Sequence, residues 1–276
     1  MKTACSAKLW RTFVIPCLSL IGLSIVFAAE PSRKPAEPVN TAKIPSAEDV
    51  IARFVKAMGG KEAFSKIESQ RATGKVEMQS QGISGSLEVF GKRPNQLLVK
   101  TELPVLGKSS EGFDGKIGWS LNAVTGPMLT EGKQLEQARQ QADFDAVLHD
   151  RKDYKSMENL GTNHFEGRPC FKLKLVRKSG DETTEFYDIE SGLLIGWAGT
   201  VESPLGAVTT TNLLGEYKKF GDILLATKTT QTLLSVKVVM VLDHFEFNKV
   251  PDSVFELPPE IKALIKPVPG TEKKVP

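Results

Sequence analysis

The sequence predicts a mainly antiparallel β domain with a few helices, preceded by an export leader. Three observations carry that reading. The N-terminus is basic, then apolar, then small; the stretch from about residue 70 to 247 is a succession of short strand-like segments punctuated by Gly and Pro; and one long amphipathic helical pattern interrupts them.

The leader comes first. Lys2, Lys8 and Arg11 precede a nearly continuous apolar run from Phe13 to Phe27, and Val26-Phe27-Ala28 fits the cleavage pattern, so export with removal of residues 1–28 is expected. An uncleaved anchor is the alternative, although the run falls short of the roughly 20 residues that span a bilayer. Lipidation at Cys17 is a poorer fit, because Pro16 precedes it and Leu18 to Phe27 continues the apolar segment.

The rest of the chain is charge-balanced. The precursor has 36 Lys and Arg against 33 Asp and Glu, and three of the bases lie in the leader. No broad positive field remains, which argues against nucleic acid or an anionic membrane as partner. Cys170 is the one cysteine after residue 28, so an intramolecular disulfide is ruled out. A chain of this size can bury enough surface to fold without one.

Residues 29–45 are rich in Pro and poor in large apolar side chains, as in a linker. Ser46 with Asp49 three positions on then forms a helix-start signature. Val50, Ile51, Phe54, Val55 and Met58 recur at helical spacing, and Gly59-Gly60 stops the helix. A second short helix is expected over 62–67. Strands follow near 70–80, 84–91 and 95–103, the last entered through Arg93-Pro94-Asn95. Phe171, Leu173 and Leu175 alternate with Lys172 and Lys174, giving one packed and one wet face. Leu193, Ile195 and Trp197 repeat the pattern weakly. Further strands are expected over 182–189, 205–218, 223–233 and 236–247. In the last, simple alternation puts Val239, Val241, Phe245 and Phe247 on one face and Val238, Met240 and Leu242 on the other.

The interrupting helix runs from Glu131 to about Leu148, with Leu135, Ala138, Ala142, Phe144 and Leu148 as its apolar stripe. Phe113-Asp114-Gly115-Lys116 and Phe165-Glu166-Gly167-Arg168 both read as hairpin turns, since Gly accepts positive φ and the acid bonds nearby amides. A short helix near 260–265 lies between Pro258-Pro259 and Pro267, and residues 267–276 are expected to be a disordered tail.

Catalytic patterns are missing. His149, His164 and His244 stand in no metal-ligand spacing. Gly107-Lys108-Ser109 lacks the earlier glycine of a phosphate loop, with Glu102 in its place, and Ser203 has no flanking Gly of a nucleophile elbow. No catalytic, cofactor or metal residue is assigned, and the chain is read as a non-enzyme. Phe113, Trp119, Trp197, Phe245 and Phe247 are instead candidates for the wall of an apolar ligand cleft, against the plainer reading that they fill an ordinary core.

One family resembles this order of elements. The early helix ending in Gly59-Gly60, then Gly74-Lys75-Val76, Phe113-Asp114-Gly115-Lys116-x-Gly118-Trp119, the mid-chain helix, Phe165-Glu166-Gly167-Arg168-Pro169-Cys170, Tyr187-Asp188-x-x-Ser191-Gly192-Leu193-Leu194, and Asn248 to Pro258 are similar to the outer-membrane lipoprotein-sorting (LolA-like) superfamily. The resemblance covers about residues 46–260, within an expected β domain of 46–266. It implies a single curved antiparallel sheet, an unclosed β-barrel wrapped around a few helices, with an apolar cavity between them. It also implies a periplasmic or secreted carrier for a lipid, an acyl chain or a lipoprotein. An envelope protein–protein interaction or sensor module is the second reading, and an enzyme of unknown class the third. The chain departs from the carriers in its greater length, and no carrier-specific residue can be matched to it. Neither cofactor nor integral membrane span after cleavage is expected.

Overall fold

The computed structural model describes residues 44–104, 106–203, 206–234 and 236–265. The expected leader, most of the Pro-rich linker and the tail lie outside them.

Thirteen strands form an antiparallel sheet, joined in sequence except at one place. In chain order they are β1 (Ser69–Met78), β2 (Ile83–Lys92), β3 (Gln96–Leu103), β4 (Gly107–Phe113), β5 (Gly118–Asn122), β6 (Gly126–Thr130), β7 (Tyr154–Phe165), β8 (Arg168–Arg177), β9 (Glu182–Asp188), β10 (Leu194–Ser203), β11 (Gly206–Phe220), β12 (Ile223–Leu233) and β13 (Val236–Phe247). The hydrogen-bonded order is β6-β5-β4-β3-β2-β1-β13-β12-β11-β10-β9-β8-β7, so among the described residues β6 and β7 are the edges and the sheet does not close. The chain divides into two compact units: the described part of Met1–Phe64 with Val147–Ser235, and Ser65–Ala146 with Val236–Pro276.

In the first unit, α1 (Ala47–Ala57) starts on the reciprocal cap that the sequence announced. The Ser46 hydroxyl accepts from the Asp49 amide at 3.0 Å, and the Asp49 carboxylate accepts from the Ser46 amide at 3.3 Å. Val50, Ile51, Phe54 and Val55 are buried. Gly59 at φ 115° ends the helix, and α2 (Gly60–Ser65) begins at once, two residues before the expected start. The Arg53 guanidinium donates to the carbonyls of Ile189 and Glu190 at 2.8 and 2.5 Å, tying α1 to the β9–β10 turn.

That turn and the β7–β8 hairpin lock together. Asp188 accepts from the Ser191 amide and hydroxyl, both at 2.7 Å, and from Arg168 at 2.7 Å. Burial works to raise its pKa, but these hydrogen bonds and the Arg168 charge outweigh it and hold the carboxyl below its usual value. The two sequence motifs containing Arg168 and Asp188 are thus halves of one contact.

In the second unit, α3 (Gly132–Ala142) is shorter than the pattern over 131–148 implied. Asp143 turns extended, its carboxylate accepts from the Asp145 amide, and the Phe144 amide donates to the Pro94 carbonyl. Arg93 holds the segment further, by an ion pair with Asp145 and by lying 5.0 Å above the Phe144 ring. The chain therefore leaves the helix to dock on the β2–β3 turn. α3 also buries Gln137, Gln141 and Ala142, whereas Leu135 and Ala138 are only half-buried. The C-terminal α4 (Pro259–Lys262) and the turn at Asp252–Phe255 deliver Val250, Phe255 and Ile261 to a core with Phe90, Leu98 and Trp119.

Candidate functional site

In each unit the cross-strand register shows which side chains share a face, because directly paired residues project to the same side. In the Ser65–Ala146 and Val236–Pro276 unit, one row runs Phe247, Gln70, Gly91, Leu97, Phe113, Gly118. The next runs Phe245, Ala72, Val89, Val99, Glu111, Ser120. A Cβ built on Gly118 would stand 3.1 Å from Leu135 of α3, and one on Gly91 would stand 3.4 Å from Phe144, so α3 and its continuation cover this face.

The strand alternation read from the sequence breaks on β13. Thr73 pairs with His244 but Gly74 with Leu242, so Asp243 is an extra residue in a bulge. That bulge turns Phe245 and Phe247 onto the face of Leu242 and Met240, not that of Val239 and Val241. The resulting face is strongly apolar: Ala72, Val76, Leu87, Val89, Val99, Phe113, Met240 and Leu242 are buried, and the half-buried Phe245 and Phe247 rings stack with centroids 6.4 Å apart.

Its polar content is small and specific. The Thr101 and Ser109 hydroxyls bond each other at 2.5 Å. Burial pushes the Glu111 carboxyl up to about 8, so near neutrality it is mainly a protonated acid on an apolar face.

Of the predicted wall residues, Phe245 and Phe247 are neighbours here, and Phe113 lies on the same face four strands away. Trp119 does not join them. It follows Gly118 and faces the opposite side, where its ring lies over Gly112; a Cβ at that glycine would be 2.8 Å from the indole. Trp197 belongs to the other unit.

In that unit, a row of buried residues crosses five strands: Leu173, Glu185, Trp197, Asn212, Gln231. The adjacent row contains Thr183 and Thr210, and Thr227 and Thr229 are buried on β12. Among buried Leu173, Leu175, Leu214 and Leu233, this face thus carries hydroxyls, amides and a carboxyl.

Glu185 meets His149, and both side chains are fully buried. His149 Nδ1 lies 2.8 Å from the Val147 carbonyl, which can only accept, so Nδ1 carries a proton. Its Nε2 lies 3.0 Å from both Glu185 Oε2 and the Tyr187 hydroxyl, which donates to the same Glu185 oxygen at 2.5 Å. One proton is therefore shared between Nε2 and the carboxyl. Phe54 packs edge-on against the His149 and Tyr187 rings. His149 sits at φ 52°, a strained position for a non-glycine residue, and the triad holds it there. Sealed from solvent, this group fastens the 147–153 segment to the sheet. Residue spacing gave no sign of it, since His149 and Glu185 are 36 positions apart.

Among the described residues, no three His, Cys, Asp or Glu side chains gather as a metal site, and no helix is long and apolar enough to cross a membrane.

The fold has solved counterparts. A DUF1329 family protein from Desulfovibrio piger is similar at a TM-score of 0.53 and 11% identity, covering 76% of this chain and 97% of that one. A LolA superfamily protein from Nitrosomonas europaea is similar at 0.50 and 12%, covering 77% and 98%. A domain named for outer membrane lipoprotein sorting, from Vibrio parahaemolyticus, is similar at 0.50 and 12%, covering 76% and 97%. No protein-family model matches the chain, nor does any curated protein. The open antiparallel sheet with helices is thus the fold of the LolA-like structures.

Proposed function

We propose that this protein is a non-catalytic carrier or binding protein of the cell envelope, exported to the periplasm or beyond, whose ligand is a lipid, an acyl chain or the acyl part of a lipoprotein. The observation that supports this most is the apolar face of the unit that contains Ser65–Ala146, which Phe113 on β4 and Phe245, Phe247, Met240 and Leu242 on β13 share across the intervening strands, on a fold shared with LolA-like proteins. The basic and apolar leader supports the location. Each buried methylene of an acyl chain contributes about 0.8 kcal/mol before ordering costs, so a medium chain on such a face gives measurable affinity.

Gentle purification followed by native mass spectrometry, organic extraction and titration with an acyl probe tests this. A co-purifying lipid or saturable binding is expected. Absence of both, across chain lengths and lipopeptides, overturns the carrier reading and leaves an envelope protein–protein interaction module.

A further inference from the structure

The polar row of the Val147–Ser235 unit contains two groups that the fold leaves unsatisfied. Trp197 Nε1 and Asn212 Oδ1 are fully buried, and neither has a hydrogen-bond partner among the described residues. They belong to directly paired residues on β10 and β11, so they project to the same face as close neighbours. The orientation of the Asn212 amide follows from its surroundings. The Thr210 hydroxyl donates to the Thr232 carbonyl at 3.2 Å, which leaves its oxygen to accept from Asn212 Nδ2 at 3.5 Å. The oxygen of the amide is the end left bare.

An unpaired buried donor or acceptor costs about 1–3 kcal/mol, and two side by side are an unusual expense for a fold that satisfies the neighbouring His149, Glu185 and Tyr187 completely. We infer that Trp197 and Asn212 form a subsite for a neutral group that both accepts and donates a hydrogen bond, of which a carboxamide is the best match: its carbonyl accepts from the indole N–H and its N–H donates to Asn212. Glu185, next to Trp197 in the same row, disfavours an anion there. Buried Thr210 and Gln231 flank the pair with further polar surface. This inference concerns one unit and does not rest on the carrier reading.

The test uses the protein without residues 1–28, labelled with 15N-tryptophan; Trp10 is then absent, Trp119 and Trp197 give the two indole N–H signals, and Trp119→Phe assigns them. Butyramide, methyl butyrate and butyrate serve as probes of equal chain length. The Trp197 signal should move saturably with butyramide, at least about tenfold more weakly with methyl butyrate, which cannot donate to Asn212, and not at all with butyrate; tenfold corresponds to about 1.4 kcal/mol. Asn212→Leu should bring butyramide down to the level of the ester, with an unchanged thermal midpoint showing that the variant is folded. A Trp197 signal that responds to no probe, or to all three alike, overturns the subsite. So does a Trp197 indole already bonded to a long-lived water that no probe displaces, because the pair is then a hydration site only.

Discussion

The two units build the same antiparallel ladder and line it differently. Beside α3, the face that carries Phe113 and Phe245 is apolar, and its one carboxyl, Glu111, is kept largely neutral by burial. In the Val147–Ser235 unit a buried row runs Leu173, Glu185, Trp197, Asn212 and Gln231, mixing apolar and polar groups, and its carboxyl is kept by bonds to His149 and Tyr187. Burying a polar group without a partner is costly, whereas burying an apolar one is favourable in itself. A sheet face can therefore be dry and adaptable, or polar and tightly specified, on an unchanged backbone plan.

Substitutions that interchange the two solutions should have large effects. Glu185→Ala strands a buried imidazole and a tyrosine hydroxyl, and should destabilise by about 3–5 kcal/mol in urea denaturation. The double variant His149→Leu with Glu185→Leu should recover much of that loss, because no lone polar group then remains. If Glu185→Ala costs less than about 1 kcal/mol, the triad is not the fastening it is taken to be.

Trp119→Ala probes the opposite face of the apolar unit, where the indole is 5% exposed among Phe90, Leu98, Val250, Phe255 and Ile261. A loss of roughly 3–5 kcal/mol is expected from the lost packing and the cavity. Because this face is turned away from Phe113 and Phe245, acyl-probe affinity per folded molecule should be unchanged. A selective loss of affinity would place Trp119 in the ligand wall after all.

Gly115→Val should cost about 1–3 kcal/mol. Gly115 sits at φ 106° in the β4–β5 turn, and Asp114 accepts from the Lys116 and Ile117 amides there at 2.8 and 2.7 Å. An unchanged denaturation midpoint would show that the turn relaxes freely.

Glu111→Gln gives the most diagnostic reading. The folded protein holds the Glu111 proton up to about pH 8, while the unfolded chain releases it near the ordinary value of 4.5. Between those values the unfolded state binds fewer protons, so wild-type stability falls as pH rises, by at most about 1.4 kcal/mol per pH unit from this residue. The glutamine variant should lack that slope and be the more stable form above neutrality. Parallel pH profiles would mean that Glu111 is solvated.

Much of this arrangement was legible in the sequence. The Ser46 cap, both acid–glycine hairpins and most strand limits follow from local chemistry, which acts within a few residues. The faces were harder to read. Alternation across β13 failed at Asp243, because a bulge is a property of the pairing with β1 and leaves no mark on one strand alone. The α3 pattern ran past its end because Phe144 is recruited by Pro94 and Arg93 from a distant turn. The Thr-x-Asn of β11 and Thr-x-Gln of β12 alternate as a wet face would, yet the fold buries them. Their period was a usable signal for a sheet face, but the sign of that face depends on what packs over it. Phe113, Phe245 and Phe247 stood out in the sequence as aromatics, but that they share one face and that Trp119 and Trp197 do not required the register.

The carrier reading stands on whether an acyl chain occupies the apolar face, and photo-crosslinking asks this directly. A fatty acid bearing a terminal diazirine, irradiated with the folded exported protein and mapped by peptide mass spectrometry, should modify peptides containing Phe113 and Phe245–Phe247, and unlabelled fatty acid should suppress the adducts. Absence of any suppressible adduct on the folded protein, or suppressible adducts confined to peptides away from that face, would contradict the account.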